Sequence, residues 1–289
     1  MRRLQMKQMK DLLKAICRLV ISSMVWRVEK VCAGCALLIL SFSMTVWSQQ
    51  LMTDNAHWGE ENLSYDVIYQ WGFIWKKAAS ARLILKPIVI NDVSCYKSQM
   101  DARTLAFADR IFRVRDTLVS VMRRGDLRPL YYAKISDEDK TYRKDEVKYK
   151  YEKGVKGCVG EITLYRPKRN AIEHYTVPSS KLTYDMLSVF YYLRTIDFPV
   201  TPMYQRFNLN IFSGNHIEYL SIEFMGRTIL KLKNREFPAF RLKLHFSTDE
   251  GENESDNITA WISDDNRRIP LQVEGKLAIG SLKAIYAGN

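Results

Sequence analysis

Leu63-Ser64-Tyr65-Asp66-Val67-Ile68-Tyr69-Gln70-Trp71 places a large apolar or aromatic side chain at every odd position. A period of two puts these side chains on one face of a strand and leaves the other face largely polar. The same reading holds near the other end of the chain, where Phe240, Leu242, Leu244 and Phe246 alternate with Arg241, Lys243 and His245. Both stretches predict half-buried strands of an antiparallel sheet. Weaker alternation recurs at residues 81–86, 96–104, 115–122, 144–151, 161–165, 207–212, 218–224, 228–232, 271–274 and 280–286. Turn signals separate these runs: Gly125-Asp126, Gly157, Ser213-Gly214-Asn215, Met225-Gly226 and Asp264-Asp265-Asn266. Roughly ten or more strands joined by short turns predict a mainly β domain, built as a large curved antiparallel sheet or half-open β-barrel.

One segment has a different period. Across residues 182–194 the side chains of Met186, Val189, Phe190 and Leu193 fall on one helical stripe, with Thr183 as a candidate N-cap. Asp185 and Arg194 match the dipole at the two ends. Leu187, Tyr191 and Tyr192 lie off the stripe, so this main helix is expected to pack on the concave face of the sheet. A shorter helix is expected around residues 105–112.

The 289 residues are 47% apolar and 26% charged, the balance of an ordinary globular chain. Aromatic residues at 12% add weight to strands. The formal charge of +12 would suggest nucleic acid if it were evenly spread, but residues 1–48 hold eight Lys or Arg against two acids. The remaining 36 basic and 30 acidic residues are scattered through alternating stretches. That pattern describes a solvated sheet face and no nucleic-acid partner.

Residues 31–47, VCAGCALLILSFSMTVW, follow Arg27 and Lys30 and precede the polar Ser48-Gln49-Gln50. This is the layout of a signal segment over residues 1–48, cleaved after Ser48 to leave a single β-rich domain over residues 49–289. The competing reading is an uncleaved anchor, although 17 apolar residues fall short of the about 20 that span a bilayer. Cys32-Ala33-Gly34-Cys35 mimics a lipid-attachment box but opens the apolar stretch where such a cysteine should follow it. The long stretch before Val31 is compatible with a start at Met24. Outside the leader only Cys95 and Cys158 remain, either bridged in an oxidising compartment or kept as two buried thiols.

Three sets of residues together resemble the domain of unknown function 3108 family of bacterial exported proteins. The first is Leu63-Ser64-Tyr65-Asp66-Val67, Trp71-Gly72 and Ala79-Ser80-Ala81-Arg82-Leu83. The second is Asp185-Met186-Leu187-Ser188 with Tyr191-Tyr192-Leu193-Arg194, and the third Trp261-Ile262-Ser263-Asp264-Asp265 with Arg268-Ile269-Pro270. The resemblance implies a periplasmic or outer-membrane-associated protein with a curved antiparallel sheet. At the level of fold the layout is also similar to lipoprotein carriers of the LolA and LolB type, whose incomplete barrel holds acyl chains beneath helices.

Catalytic signatures are missing from the sequence. His57, His174, His216 and His245 are isolated, and there is no HExxH, GxSxG, P-loop or GxGxxG pattern. No metal and no cofactor is therefore expected. Asp264-Asp265-Asn266 reads as a tight turn with its carboxylates on local amides, in preference to a cation site, and Arg268 is placed to pair with one of them. The acidic residues 248–257 read as a solvated hairpin loop. Trp71, Phe73, Trp75, Tyr191, Tyr192 and Trp261 are the candidate lining of an apolar cavity. The expected function is an exported, non-enzymatic protein that binds or carries a hydrophobic, lipid-like ligand and meets the membrane only through its leader or peripherally. The alternatives are an envelope protein-interaction module without a cavity, and a hydrolase without a recognisable motif.

Overall fold

A computed structural model of the chain describes residues 58–247, 255–276 and 280–289, without the side chains of Trp71, Ile74 and residues 255–257. The signal segment expected over residues 1–48 and most of the acidic loop expected at 248–257 lie outside the described residues. The first half of the chain forms β1 (Glu61–Trp71), β2 (Ile74–Ile90), β3 (Val93–Thr104), helix α1 (Ala106–Asp109), β4 (Val114–Arg123), β5 (Pro129–Glu138), β6 (Thr141–Lys150), β7 (Cys158–Arg166) and β8 (Ala171–Ser179). The second half forms β9 (Thr183–Tyr184), helix α2 (Ser188–Arg194), β10 (Arg206–Ser213), β11 (His216–Leu232), β12 (Arg235–Ser247), β13 (Ser255–Ser263), β14 (Pro270–Lys276) and β15 (Ser281–Gly288).

All fifteen strands belong to one sheet, ordered β8-β7-β6-β5-β4-β3-β2-β1-β15-β14-β13-β12-β11-β10-β9. Each half is a meander of antiparallel neighbours, and β1 joins the halves by pairing with both β2 and β15. The exception to antiparallel pairing is the short β9, which runs parallel to β10. The sheet curls into a nearly closed barrel around α2. In β1 the predicted alternation is realised, with Leu63, Tyr65 and Val67 buried and facing inward. In β12 Phe240, Leu242 and Leu244 do the same. Two apolar clusters fill the interior, one on β1 to β7 and one on β10 to β13, and Leu187 and Val189 of the α2 region each join one of them.

The barrel closes without a hydrogen-bonded ladder between its edges β8 and β9. Side chains bridge this seam. Ser179 accepts hydrogen bonds from Thr183 Oγ1 at 2.8 Å and Asn210 Nδ2 at 3.3 Å. The Phe212 ring packs against Tyr149 at 5.4 Å between centroids and lies flat over Gly160, where a Cβ would sit 2.9 Å from the ring. Gly160→Ala is therefore expected to overpack the seam and cost about 1–3 kcal/mol, read as a lower urea midpoint at unchanged slope.

Several expectations are corrected by the fold. Helix α2 begins at Ser188, because Thr183 is drawn into β9 by pairing with Asn210 and caps nothing. Met225-Gly226 is a bulge inside the single strand β11 and not a turn, with Gly226 at φ 90° supplying the left-handed step. Of the two states left open for Cys95 and Cys158, the structure has the two buried free thiols. Cys95 lies in β3 and Cys158 in β7, with β4, β5 and β6 between them. At about 4.8 Å per strand step they are out of the reach of about 7 Å that a disulfide allows. Burial raises both thiols above their ordinary range, and the Cys158 thiol bonds Thr183.

Candidate functional site

Helix α2 is hung across the barrel by a buried polar group at each end. At its start Asp185, fully buried, accepts the backbone N–H groups of Leu187 and Ser188 on Oδ1, each at 2.8 Å. Ser188 Oγ returns the favour by accepting Asp185 N–H at 2.9 Å, which makes a reciprocal cap. Ser120 Oγ on β4 donates to Asp185 Oδ2 at 2.8 Å and ties that cap to the barrel wall. Burial raises the Asp185 carboxyl to about 6, against the lowering pull of these donors.

At the other end the Arg194 guanidinium reaches Glu61 through two bonds of 2.7 Å and donates a third, also 2.7 Å, to the Arg267 carbonyl. It stacks over Trp58 at 4.5 Å and Tyr191 at 5.4 Å from the ring centroids. The Tyr191 hydroxyl meets Ser98 Oγ at 3.0 Å. Arg194 thus joins α2, the start of β1 and the β13–β14 turn in one contact.

Between the apolar flank of α2 and the wall lies a cavity of about 90 Å³. Met186, Val189, Phe190 and Leu193 line it from the helix side, the four residues of the predicted stripe. Tyr65, Leu83 and Met100 face them from β1 to β3, and Leu220, Leu244, Phe246 and Leu282 from the other half. The Tyr65 hydroxyl is buried and has no partner among the described residues, and burial holds its phenol far above the ordinary range, so it remains a neutral donor.

Of the six aromatic residues proposed from sequence, the five whose side chains are described are not brought together, and none of these five lines this cavity. Phe73 sits 95% exposed at the tip of the β1–β2 hairpin, and Trp75 beside it is 54% exposed. The Trp71 side chain lies outside the described residues. Tyr191 packs with Leu85, Tyr96 and Met122, while Tyr192 packs with Tyr184, because one helical step of about 100° turns both off the cavity-facing stripe. Trp261 stands on the opposite face of β13 from the inward Ala260 and Ile262, in a separate cluster with Leu230, Leu232 and Leu271. The aromatic lining is supplied by Tyr65, Phe190 and Phe246, each legible as part of an alternating or helical apolar pattern.

The third motif is a turn. Asp265 Oδ1 accepts from Ser263 Oγ at 2.7 Å and from the Arg267 and Arg268 N–H groups at 3.0 Å. Ile269 N–H donates to Ser263 Oγ at 2.7 Å and closes the loop just before Pro270. Asp264 pairs with Arg227 at 2.9 Å and more distantly with Arg268 at 3.7 Å, whose guanidinium lies 4.6 Å from the Phe240 ring. Ser263, Asp264, Asp265 and Arg268 therefore shape the β13–β14 turn, whose Arg267 carbonyl receives Arg194.

The first motif lies on β1 and β2, the second is helix α2 with its Asp185 cap and Arg194, and the third is the turn whose Arg267 carbonyl Arg194 reaches. A family model described as protein of unknown function (DUF3108) matches residues 64–285. The chain belongs to this DUF3108 family. No curated protein matches it. Among solved structures, the DUF3108 chain is similar to a β-barrel-like protein of domain of unknown function DUF1849 from Brucella abortus. The two share 9% identity at a TM-score of 0.50, with 79% of this chain and 96% of that one covered, a likeness of fold.

Proposed function

We propose that this DUF3108 protein is an exported, non-catalytic envelope protein that holds a slender hydrophobic ligand, such as an acyl chain, between α2 and the barrel wall. The observation that carries the reading is the cavity under α2, walled by apolar side chains from both halves of the barrel. Apart from Tyr65 the lining side chains are apolar, so an entering methylene displaces little bound water and gains about 0.8 kcal/mol. At about 90 Å³ the space is smaller than the roughly 150 Å³ that admits benzene, so a longer chain must displace lining side chains. Met100 and Met186 are suited to that, being unbranched and able to repack. Tyr65 offers a neutral donor for a ligand ester or carboxyl oxygen. The non-catalytic part of the reading is supported by Asp185, whose buried carboxylate is committed to capping a helix.

The test is native mass spectrometry of the protein from an exporting host, followed by organic extraction. We expect a mass beginning at Gln49 and a released acyl lipid near one equivalent. Ala284→Phe, which fills the cavity from β15, is expected to lose that lipid while keeping the far-ultraviolet circular dichroism of the parent. A protein that is ligand-free and remains so when offered envelope lipids would return the reading to an interaction module.

A further inference from the structure

The β1–β2 hairpin exposes what a folded domain ordinarily hides. Phe73 is 95% exposed and Trp75 54% exposed, at the turn that joins the two strands. Cations back the tip. Lys283, itself paired with Glu274 at 3.3 Å, lies 4.6 Å from the Trp75 ring, and Lys76 lies 4.3 Å from the ring of Phe107 in α1. Lys276, Arg103 and Arg110 stand exposed at the same end of the barrel. Strand register puts Lys276 opposite Ser281, Ser281 opposite Gln70 and Gln70 opposite Trp75, so a cation and the indole share one row across four strands. Lys76, Lys276, Arg103 and Arg110 have no carboxylate partner among the described residues. Among the described residues, Asp66 of β1 is paired with Lys77 at 2.6 Å and Glu274 of β14 with Lys283 at 3.3 Å.

We infer that this hairpin tip docks the protein peripherally on an anionic bilayer, with Phe73 entering the acyl boundary, Trp75 lying at headgroup depth and the unpaired cations facing lipid phosphates. An amphipathic ring at the headgroup level with Lys or Arg around it is the pattern of an interfacial anchor. The charge arrangement favours a bilayer as occupant over a protein. A protein partner would have to offer a cleft for the exposed tip, whereas a bilayer accepts any exposed apolar point and pairs the diffuse positive charge with its own diffuse negative charge. The placement also suits the cavity. Phe246 at the end of β12, Ile258 at the start of β13 and Leu282 at the start of β15 line the cavity and lie at this end of the barrel, and Phe246 and Ile258 are only half-buried. A docked tip would turn that side of the cavity toward the membrane. Docking itself does not depend on the cavity being a ligand site.

Hydrogen exchange of the full chain, resolved by peptide, separates the tip from the leader. With vesicles of phosphatidylcholine and phosphatidylglycerol, residues 70–77 are expected to gain protection that weakens as salt is raised. With phosphatidylcholine alone the gain should be much smaller. Phe73→Ser with Trp75→Ser removes exposed side chains only, so the melting temperature should hold while protection at the tip requires at least about tenfold more lipid. Lys76→Glu with Lys276→Glu should weaken docking on the anionic vesicles alone. A chain that associates with vesicles while residues 70–77 stay unprotected would overturn the inference. Protection that rises with protein concentration in the absence of lipid would assign the tip to a second copy and overturn it as well. Lipid extraction from the tip variant keeps the two readings apart, since lost docking with retained ligand leaves the cavity proposal standing.

Discussion

Replacing Arg194 by alanine is expected to cost the domain about 3–5 kcal/mol, the loss that follows when one partner of a buried pair is removed. Its side chain is 1% exposed and that of Glu61 11% exposed. In the variant the Glu61 carboxylate would lose its two guanidinium bonds and remain largely shielded from water. The Arg267 carbonyl would lose its donor, and the Trp58 and Tyr191 rings the cation between them. For a domain of this size that is a fall in melting temperature on the order of 10 °C, measurable by calorimetry or by urea titration. Arg194→Lys should recover little of it, because an ammonium cannot make the two-point contact with Glu61 and still reach the carbonyl. A loss below 1 kcal/mol would mean that α2 is held by apolar packing alone and that the guanidinium is dispensable.

Asp116→Asn is expected to act in the opposite direction and to do so only above acid pH. Asp116 is 1% exposed, its Oδ1 accepts Asp137 N–H at 3.0 Å, and its Oδ2 has no partner among the described residues. Burial, helped by the nearby Glu138, raises its carboxyl from 3.8 to about 7. At about pH 3 and below the acid is mostly protonated, folded or unfolded. Between about 4 and 7 the folded protein keeps the proton that the unfolded chain has released, so this contribution to stability falls with rising pH at about 1.4 kcal/mol per unit. Above 7 it is flat. Asparagine keeps the acceptor and removes the charge, so the variant should be more stable than the parent by up to about 4 kcal/mol at pH 8 and similar to it at about pH 3. Chemical denaturation at both pH values reads the difference directly. Equal stability at pH 8 would show that Asp116 is ionised in the fold at little cost. Asp185, raised to about 6, contributes with the same sign over a narrower window.

What the sequence disclosed depended on whether the physics was local. The alternation of β1 and β12 reflects one wet face and one dry face, and it survived into the barrel because those strands have that environment along most of their length. β5 and β8 were missed for the converse reason. β5 turns Tyr132, Lys134 and Ser136 to the same side, mixing polar and apolar groups on one face, and edge strand β8 exposes Ile172 while half-burying Glu173. The stripe Met186, Val189, Phe190 and Leu193 was readable because helical periodicity alone decides which residues share a flank. Which aromatic residues reach the cavity is not readable in the same way, since Tyr65, Phe190 and Phe246 are legible only as members of apolar patterns and the long-range pairing of elements decides which of those patterns meet. The union of Glu61 with Arg194, 133 residues apart, leaves no local trace whatever.

The seam between β8 and β9 places the free edges of the ring in the middle of the chain, at residues 180–182, while the two ends of the domain are zipped together by β1 and β15. Most proteins are loosest at their termini. Here a residue added or lost within β1 or β15 would shift their pairing and turn the inward side chains beyond it outward. The same change at 180–182 would disturb no antiparallel register. Length variation across the lineage should therefore be tolerated at the centre of this polypeptide, and the barrel's girth is a quantity that evolution can adjust there without rewriting any pair of long strands.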